Sequence, residues 1–351
     1  SYFQLTLDKG RRCSSAVAYL KPARDRKNLT VITHAQAEKL LIKDGRTTGV
    51  TVNIKDASQD IMARREVILS AGTIGSPQIL MLSGVGAADE LKQQGITVVH
   101  NLPGVGKNLQ DHLQARPVFK TDLSTINIET NNLLKQGMIA LQYALTQTGP
   151  MTMAASLGTA FLKTDPTLDT PDIQFHIQPF SASAPADGPH KFSAFTASVL
   201  QMRPESTGHI ALKSANWRDH PAIHPNYLAT KLDQDTIVKG IQIARKIAQF
   251  EPLKAHITEE FTPGSSVALD DYDATLTWAR DNSVTIYHPT GTCKMGQDDM
   301  AVVDARLRVH GIKGLRVADC SIMPTITSGN TNAPAIMIGE KISDMILEDA
   351  K

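Results

Sequence analysis

Residues 67–82 read Val67-Ile68-Leu69-Ser70-Ala71-Gly72-Thr73-Ile74-Gly75-Ser76-Pro77-Gln78-Ile79-Leu80-Met81-Leu82. Three consecutive apolar residues mark a strand covered on both faces, as in a parallel sheet, where a half-wet strand would alternate. The run stops at Ser70-Ala71-Gly72. A helical run follows through Leu82, with Pro77 expected near its first turn, where a missing N–H costs nothing. Strand, glycine turn and helix predict an α/β architecture here. The free N–H groups of a helix start suit an anion or a cofactor phosphate; a merely tight αβ connection is an equal reading of the same residues.

Working outward, Phe3, Leu5 and Leu7 alternate up to an Asp8-Lys9-Gly10 turn, and a short helix is expected over 14–20 with Ser14 as N-cap. A compact strand is expected over 29–33. Asp44-Gly45 is a hairpin signal ahead of the alternating Val50, Val52 and Ile54. These residues form a strand-rich block. Residues 102–112, Leu102-Pro103-Gly104-Val105-Gly106-Lys107-Asn108-Leu109-Gln110-Asp111-His112, read as a solvated loop behind a glycine turn. Beyond a helix predicted over 132–146, Ile173, Phe175 and Ile177 alternate with Gln174, His176 and Gln178. The alternation repeats at Phe195, Ala197 and Val199, which predicts an antiparallel sheet with one wet face. Ile237, Ile241, Ala244 and Ala248 stand at helical spacing, and a second helix is expected over 270–280, so the middle section is a sheet covered by helices. Near the end, residues 315–318 form a short apolar strand stopped by Asp319. A final helix puts Ile338, Ile342, Met345 and Ile346 on one face, to pack against the first block.

The chain has 351 residues, above the size at which a single core keeps growing, so two domains are expected. Its 36 lysines and arginines balance 35 acids, and no basic run is interleaved with aromatics, which argues against nucleic acid as a partner. Cys13, Cys293 and Cys320 are odd in number and lack metal spacing, so neither a disulfide framework nor a structural metal is expected. A reducing compartment fits. No run reaches the roughly 18 apolar residues of a membrane span, and a cytoplasmic protein, or one peripheral to the membrane, is the expectation.

The chemistry gathers at Tyr287-His288-Pro289-Thr290-Gly291-Thr292-Cys293-Lys294-Met295-Gly296. Proline, glycines and hydroxyls around a histidine describe a side chain on a stiff, tightly turned backbone. Alone, such a histidine is more often a turn residue than a catalyst. A second polar cluster, Ser328-Gly329-Asn330-Thr331-Asn332-Ala333-Pro334, runs straight into the final helix, and two such clusters at element boundaries suggest one site.

Four stretches carry a resemblance: S-A-G-T-I-G-S-P-Q-I-L-M-L-S-G-V-G at 70–86, G-V-G-K-N-L-Q-D-H at 104–112, Y-H-P-T-G-T-C-K-M-G at 287–296 and G-L-R-V-A-D-C-S-I-M-P-T-I-T-S-G-N-T-N-A-P at 314–334. In this order they resemble the glucose-methanol-choline (GMC) family of FAD-dependent oxidoreductases, in its choline-dehydrogenase-like bacterial branch. The resemblance implies a discontinuous, Rossmann-like FAD-binding domain, residues 1–112 and 283–351, and a substrate domain, residues 113–282, on an antiparallel sheet. It implies oxidation of an alcohol, taken as primary, to the aldehyde by hydride transfer to the flavin. His288 matches the family's base and Asn330 the partner that holds the substrate oxygen. Asn332 and Pro334 match the N-cap and first-turn region of a helix whose positive end faces the flavin. Asp319, Ala37, Gly72, Ser76 and Asn108 match cofactor-proximal positions, Tyr287 is expected to wall the pocket, and no metal is implied. Choline itself is not implied, since no aromatic cage is visible. The family's G-x-G-x-x-G fingerprint does not occur in the sequence. The FAD domain is therefore expected to be incomplete: a C-terminal portion lacking the N-terminal dinucleotide-binding segment, with the remainder as a separate chain or fragment. A lyase of the same fold using FAD structurally, or a non-catalytic fragment without its cofactor half, are the alternatives.

Overall fold

The computed structural model describes residues 1–153, 156–183 and 188–351. In chain order its principal elements are β1 (Ala35–Lys43), β2 (Arg46–Ile54), β3 (Ala57–Met62), β4 (Val67–Leu69), α1 (Gly72–Leu82), β5 (Leu113–Ala115), β6 (Val118–Thr121), α2 (Leu133–Thr146), β7 (Gly158–Leu162), β8 (Ile173–Gln178), β9 (Ala194–Gln201), α3 (Lys231–Ile247), β10 (Ile257–Thr262), α4 (Tyr272–Asn282), β11 (Val284–Thr285), β12 (Leu315–Val317) and α5 (Asn332–Asp349). They fall into two compact units. One comprises Thr30–His112, Arg203–Tyr227 and Tyr287–Lys351; the other comprises Ser1–Leu29, Leu113–Met202 and Leu228–Ile286.

In the first unit β1, β2 and β3 form an antiparallel meander. Lys43 pairs with Arg46, leaving Asp44 and Gly45 as a two-residue turn, both with positive φ, the backbone that Asp-Gly adopts at little cost. β4 pairs in parallel with β12, Val67 against Leu315 and Leu69 against Val317. Leu69, Leu80, Val105, Leu109, Ile210, Leu315 and Val317 share one core with Ile338 and Ile342 of α5, while Met345 and Ile346 pack at its edge, as the helical spacing predicts.

Pro77 lies well inside α1, beyond the first turn where the sequence reading put it. A proline at this point leaves the carbonyl four residues back, that of Thr73, without its helical donor. Thr292 Oγ1 donates to that carbonyl at 2.6 Å, so the gap in the helix becomes an anchor for the His288 stretch.

The second unit is built on a seven-stranded antiparallel sheet in the order β7-β8-β9-β6-β10, with β5 pairing both β9 and β11. Helix α3 buries Ile237, Ile241 and Ala244. It approaches β9 closely at Gly240, where a Cβ would stand 2.8 Å from Val199 Cγ2. The other face differs from expectation. Gln174, His176 and Gln178 of β8, Ser198 of β9 and Gln114 of β5 are all buried, so the polar face is not wet. Helix α2 starts where Asn132 Oδ1 accepts from the N–H groups of Leu134 and Lys135.

Two further expectations are corrected. Residues 29–33 form no strand, and Leu29, Val31 and Ile32 are exposed, because nothing pairs with them in the described chain. In the early helix Ser15 is already helical and Ser14 O accepts from the Ala18 N–H, but no side chain caps the start. Residues 1–29 cluster with the antiparallel sheet and not with the strand-rich block, since Tyr2 bridges Gly158 and the Phe3 N–H donates to Leu157 O. Residues 203–227 leave the middle section for the first unit, where Gly208 bridges Leu109 and the Ile210 N–H donates to Gly106 O.

Candidate active site

The His288 stretch is fixed from three sides within the first unit. The N–H of His288 donates to Asp111 Oδ1 at 2.9 Å, and Thr290 exchanges backbone hydrogen bonds with Gln110 at 2.8 and 3.0 Å. From α1, Thr73 Oγ1 donates to Pro289 O at 2.7 Å, which completes a reciprocal clasp with Thr292. Gly291, at φ +94°, lets loop 104–112 come this close: a Cβ there would stand 2.3 Å from Asn108 O. Tyr227 OH donates to the other oxygen of Asp111 at 2.5 Å, so that carboxylate is engaged at both ends.

The imidazole of His288, 7% exposed, lies between two side chains. Its Nε2 is 3.2 Å from Asn330 Nδ2, and its Nδ1 is 3.0 Å from Nδ1 of His112, whose ring is fully buried and crosses it edge-on. The sequence clusters around His288 and Asn330 are thus one site. Loop 104–112, read as solvated, supplies three buried polar side chains, Gln110, Asp111 and His112. The available signal was the adjacency of Asp111 and His112 to a strand start, in place of a polar tail running on. Gln110 holds the second cluster in place: its Nε2 donates to Pro324 O, and its Oε1 accepts from the Ile326 N–H.

The other candidates divide. Gly72, Ser76 and Asp319 come together, for one oxygen of Asp319 accepts from the Gly72 N–H at 2.9 Å and from Ser76 Oγ at 2.6 Å, while the other accepts from the Ser321 N–H. This carboxylate closes the start of α1 itself. Asn108, at φ +60°, donates to Pro324 O and accepts from Gln110 Nε2. Asn332 is the first residue of α5 and Pro334 lies in its first turn, but the N-cap position belongs to Thr331. Ala37 pairs with Val52 in the meander and packs at the edge of the core. Tyr287 is 75% exposed, with φ +63°, so its ring is a surface group and not the wall of a closed pocket.

Burial, aided by Asp319, pushes the Cys320 thiol up to about 11 and raises that of Cys293 further. Both stay protonated near neutrality, so neither supplies a thiolate. Among the described residues no group of His, Cys, Asp and Glu could hold a metal ion, and no helix is long and apolar enough to cross a membrane.

Profiles described as GMC oxidoreductase match residues 2–114 and 204–339. The chain belongs to the GMC oxidoreductase family. Its N-terminal family domain is part of this same chain. That corrects the expectation of a C-terminal portion lacking the dinucleotide-binding segment, with the remainder as a separate chain or fragment. This GMC chain is 41% identical over 352 residues to an alcohol dehydrogenase [acceptor] of Pseudomonas putida, covering 99% of the chain and 63% of that protein. It is also 41% identical to an oxygen-dependent choline dehydrogenase of Ectopseudomonas mendocina, covering 96% and 60%. Formate oxidase of Aspergillus oryzae superposes with a TM-score of 0.90 at 27% identity, covering 98% of the GMC chain and 64% of that structure. The chain therefore spans about three-fifths of the length of these relatives. The fold is the α/β GMC type, a Rossmann-like FAD domain with an antiparallel-sheet substrate domain.

The family implies FAD, and the residues beside His288 fit the ring end of a flavin. Asn332 and Ala333 expose the first turn of the 18-residue α5, and at Gly329 a Cβ would meet nothing within 4 Å. An open helix start of this length offers N–H donors and roughly half a positive charge to an electron-rich ring.

Proposed function

We propose that this protein is an FAD-dependent oxidoreductase that converts a primary alcohol to the aldehyde. The observation that carries the reading is the buried His288 ring, presenting Nε2 beside the Asn330 amide at 3.2 Å. A carbinol carbon gives up hydride readily only as its hydroxyl loses a proton, and imidazole is matched to that task near neutral pH. His288 Nε2 takes the hydroxyl proton. Asn330 hydrogen-bonds the substrate oxygen without titrating, so the pair contains one proton acceptor. Bound FAD supplies the hydride acceptor, with Asn332 and Pro334 at the helix start beside it. Asp319, Gly72, Ser76 and Asn108 shape the backbone that the cofactor meets, and Ala37 supports the adenine end. The similarity to an alcohol dehydrogenase and a choline dehydrogenase supports a CH–OH donor. Three free thiols fit a cytoplasmic setting.

The test is anaerobic mixing of the FAD-bound protein with primary alcohols while the visible flavin absorbance is followed. Bleaching is expected, slowed by roughly 10² to 10⁴ in His288→Ala and by about 10² in Asn330→Ala. Bleaching at the wild-type rate in His288→Ala would remove the basis of the assignment.

A further inference from the structure

Two Nδ1 atoms face each other at 3.0 Å, one on His288 and one on His112, inside a region where the His112 ring has no exposure. Such a contact holds only if one nitrogen carries a proton and the other a lone pair. Which is which decides whether His288 can act. If His112 donated, His288 would carry its proton on Nε2, facing Asn330, and would have no lone pair for a substrate hydroxyl. If His288 donates, its Nε2 keeps a lone pair.

We propose that His112 is the positioning residue that sets the reactive tautomer of His288, accepting the Nδ1 proton of His288 with its own Nδ1. The inference rests on the reading of His288 as the base. Three features of the site support this direction. As placed, the Asn330 amide offers its NH₂ to His288 Nε2, which therefore accepts. The main chain of His288 is pinned by Asp111 and that of Pro289 by Thr73, so the ring pivots only about its own side-chain bonds and His112 fixes its plane. Finally, the acceptor is a neutral ring where other sites use a carboxylate. The nearby carboxylate, Asp111, is spent on the His288 backbone N–H and on Tyr227 OH.

The proton count is simple. The substrate O–H proton moves to His288 Nε2 and the Nδ1 proton stays on His288. The Nδ1–H···Nδ1 bond then joins a cation to a neutral ring and becomes roughly twice as strong as before. His112 thus contributes more after proton transfer than before it, which is what assists the step. A second proton on His112 would put two cations in contact, which their repulsion opposes. Asp111 and Tyr227 are hydrogen-bonded to this arrangement.

The test uses protein labelled with ¹⁵N in its histidine rings, together with His112→Leu and His112→Asn. In the wild type without substrate, His288 is expected to show a protonated Nδ1 and an unprotonated Nε2. Removing the acceptor in His112→Leu should shift His288 towards the Nε2–H tautomer. It should also lower kcat by about 10- to 100-fold, the range found when the partner orienting a metal-binding histidine is removed, with little change in KM. His112→Asn, whose amide oxygen can accept the same proton, should restore the tautomer and most of the rate. An Nε2-protonated His288 in the wild type would overturn the proposal, as would a folded His112→Leu with unchanged tautomer and rate. The ring spectra need no turnover. A protein with the expected tautomer and no alcohol oxidation would sink the functional reading alone.

Discussion

Replacing Asp319 by alanine removes one carboxylate and strands three donors, the N–H groups of Gly72 and Ser321 and the hydroxyl of Ser76. Hydrogen bonds to a charged group contribute about 1.5–3 kcal/mol each. The site is only partly buried, so water can recover some of the loss, and about 1–1.7 kcal/mol for each bond is the better guide. The expected destabilisation is about 3–5 kcal/mol. Ser76→Ala, which removes one of the three, should lose about 1–2 kcal/mol. For a unit of this size each kcal/mol lowers Tm by about 2–4 °C, so Asp319→Ala should unfold about 10 °C early. The measurement is chemical and thermal unfolding of the protein stripped of flavin. If the carboxylate ties the start of α1, the loss appears without cofactor and Ser76→Ala shows a fraction of it. An apo Asp319→Ala protein within about 0.5 kcal/mol of wild type would refute this reasoning and leave Asp319 to cofactor contact alone.

Pro77→Ala restores an N–H that competes with Thr292 for the Thr73 carbonyl. It should therefore keep or raise stability while lowering kcat several-fold, and a rate equal to wild type would count against the clasp. Hydrogen bonds from Arg316 and Arg306 hold the Asp349 carboxylate below the ordinary range. Its contribution is complete above the unfolded value near ~4 and is lost as pH falls through the lower folded value. Asp349→Asn should flatten the acid limb of a stability-against-pH curve, and an unchanged limb would contradict the pairing. In mild alkylation followed by mass spectrometry, half-exposed Cys13 should label first, Cys320 slowly, and Cys293 only on unfolding; early labelling of Cys293 would mean that the His288 stretch opens.

Much of this was readable in the residues. β4, its glycine turn and α1 followed from an apolar run and a Gly, the hairpin from Asp44-Gly45, and α3 and α5 from helical spacing that needs no partner to be recognised. His288 and Asn330 were found because Pro and Gly hold them at element boundaries. What escaped depends on distant contacts. Alternation in β8 shows which side chains share a face but not whether water reaches it, so Gln174, His176 and Gln178 were misplaced. A loop of Lys, Asn, Gln, Asp and His has the same composition whether solvated or folded under a histidine, which hid His112. The missing glycine fingerprint said nothing about the rest of the N-terminal family domain, which runs through residues 2–114.

The pairing of β4 with β12 joins residues almost 250 positions apart, Ile68 opposite Arg316. While the chain is being synthesised, β4 emerges long before its neighbour exists, and so does the core that Ile338 and Ile342 complete. The whole sheet of the other unit is made in the interval. Contacts of such separation are slow to form and leave apolar strand edges open meanwhile. The ribosome therefore releases a finished antiparallel unit before the one that carries His288 can close. The last sixty or so residues decide whether the earlier ones were worth folding, and a chain that stops short of them exposes β4 to other chains.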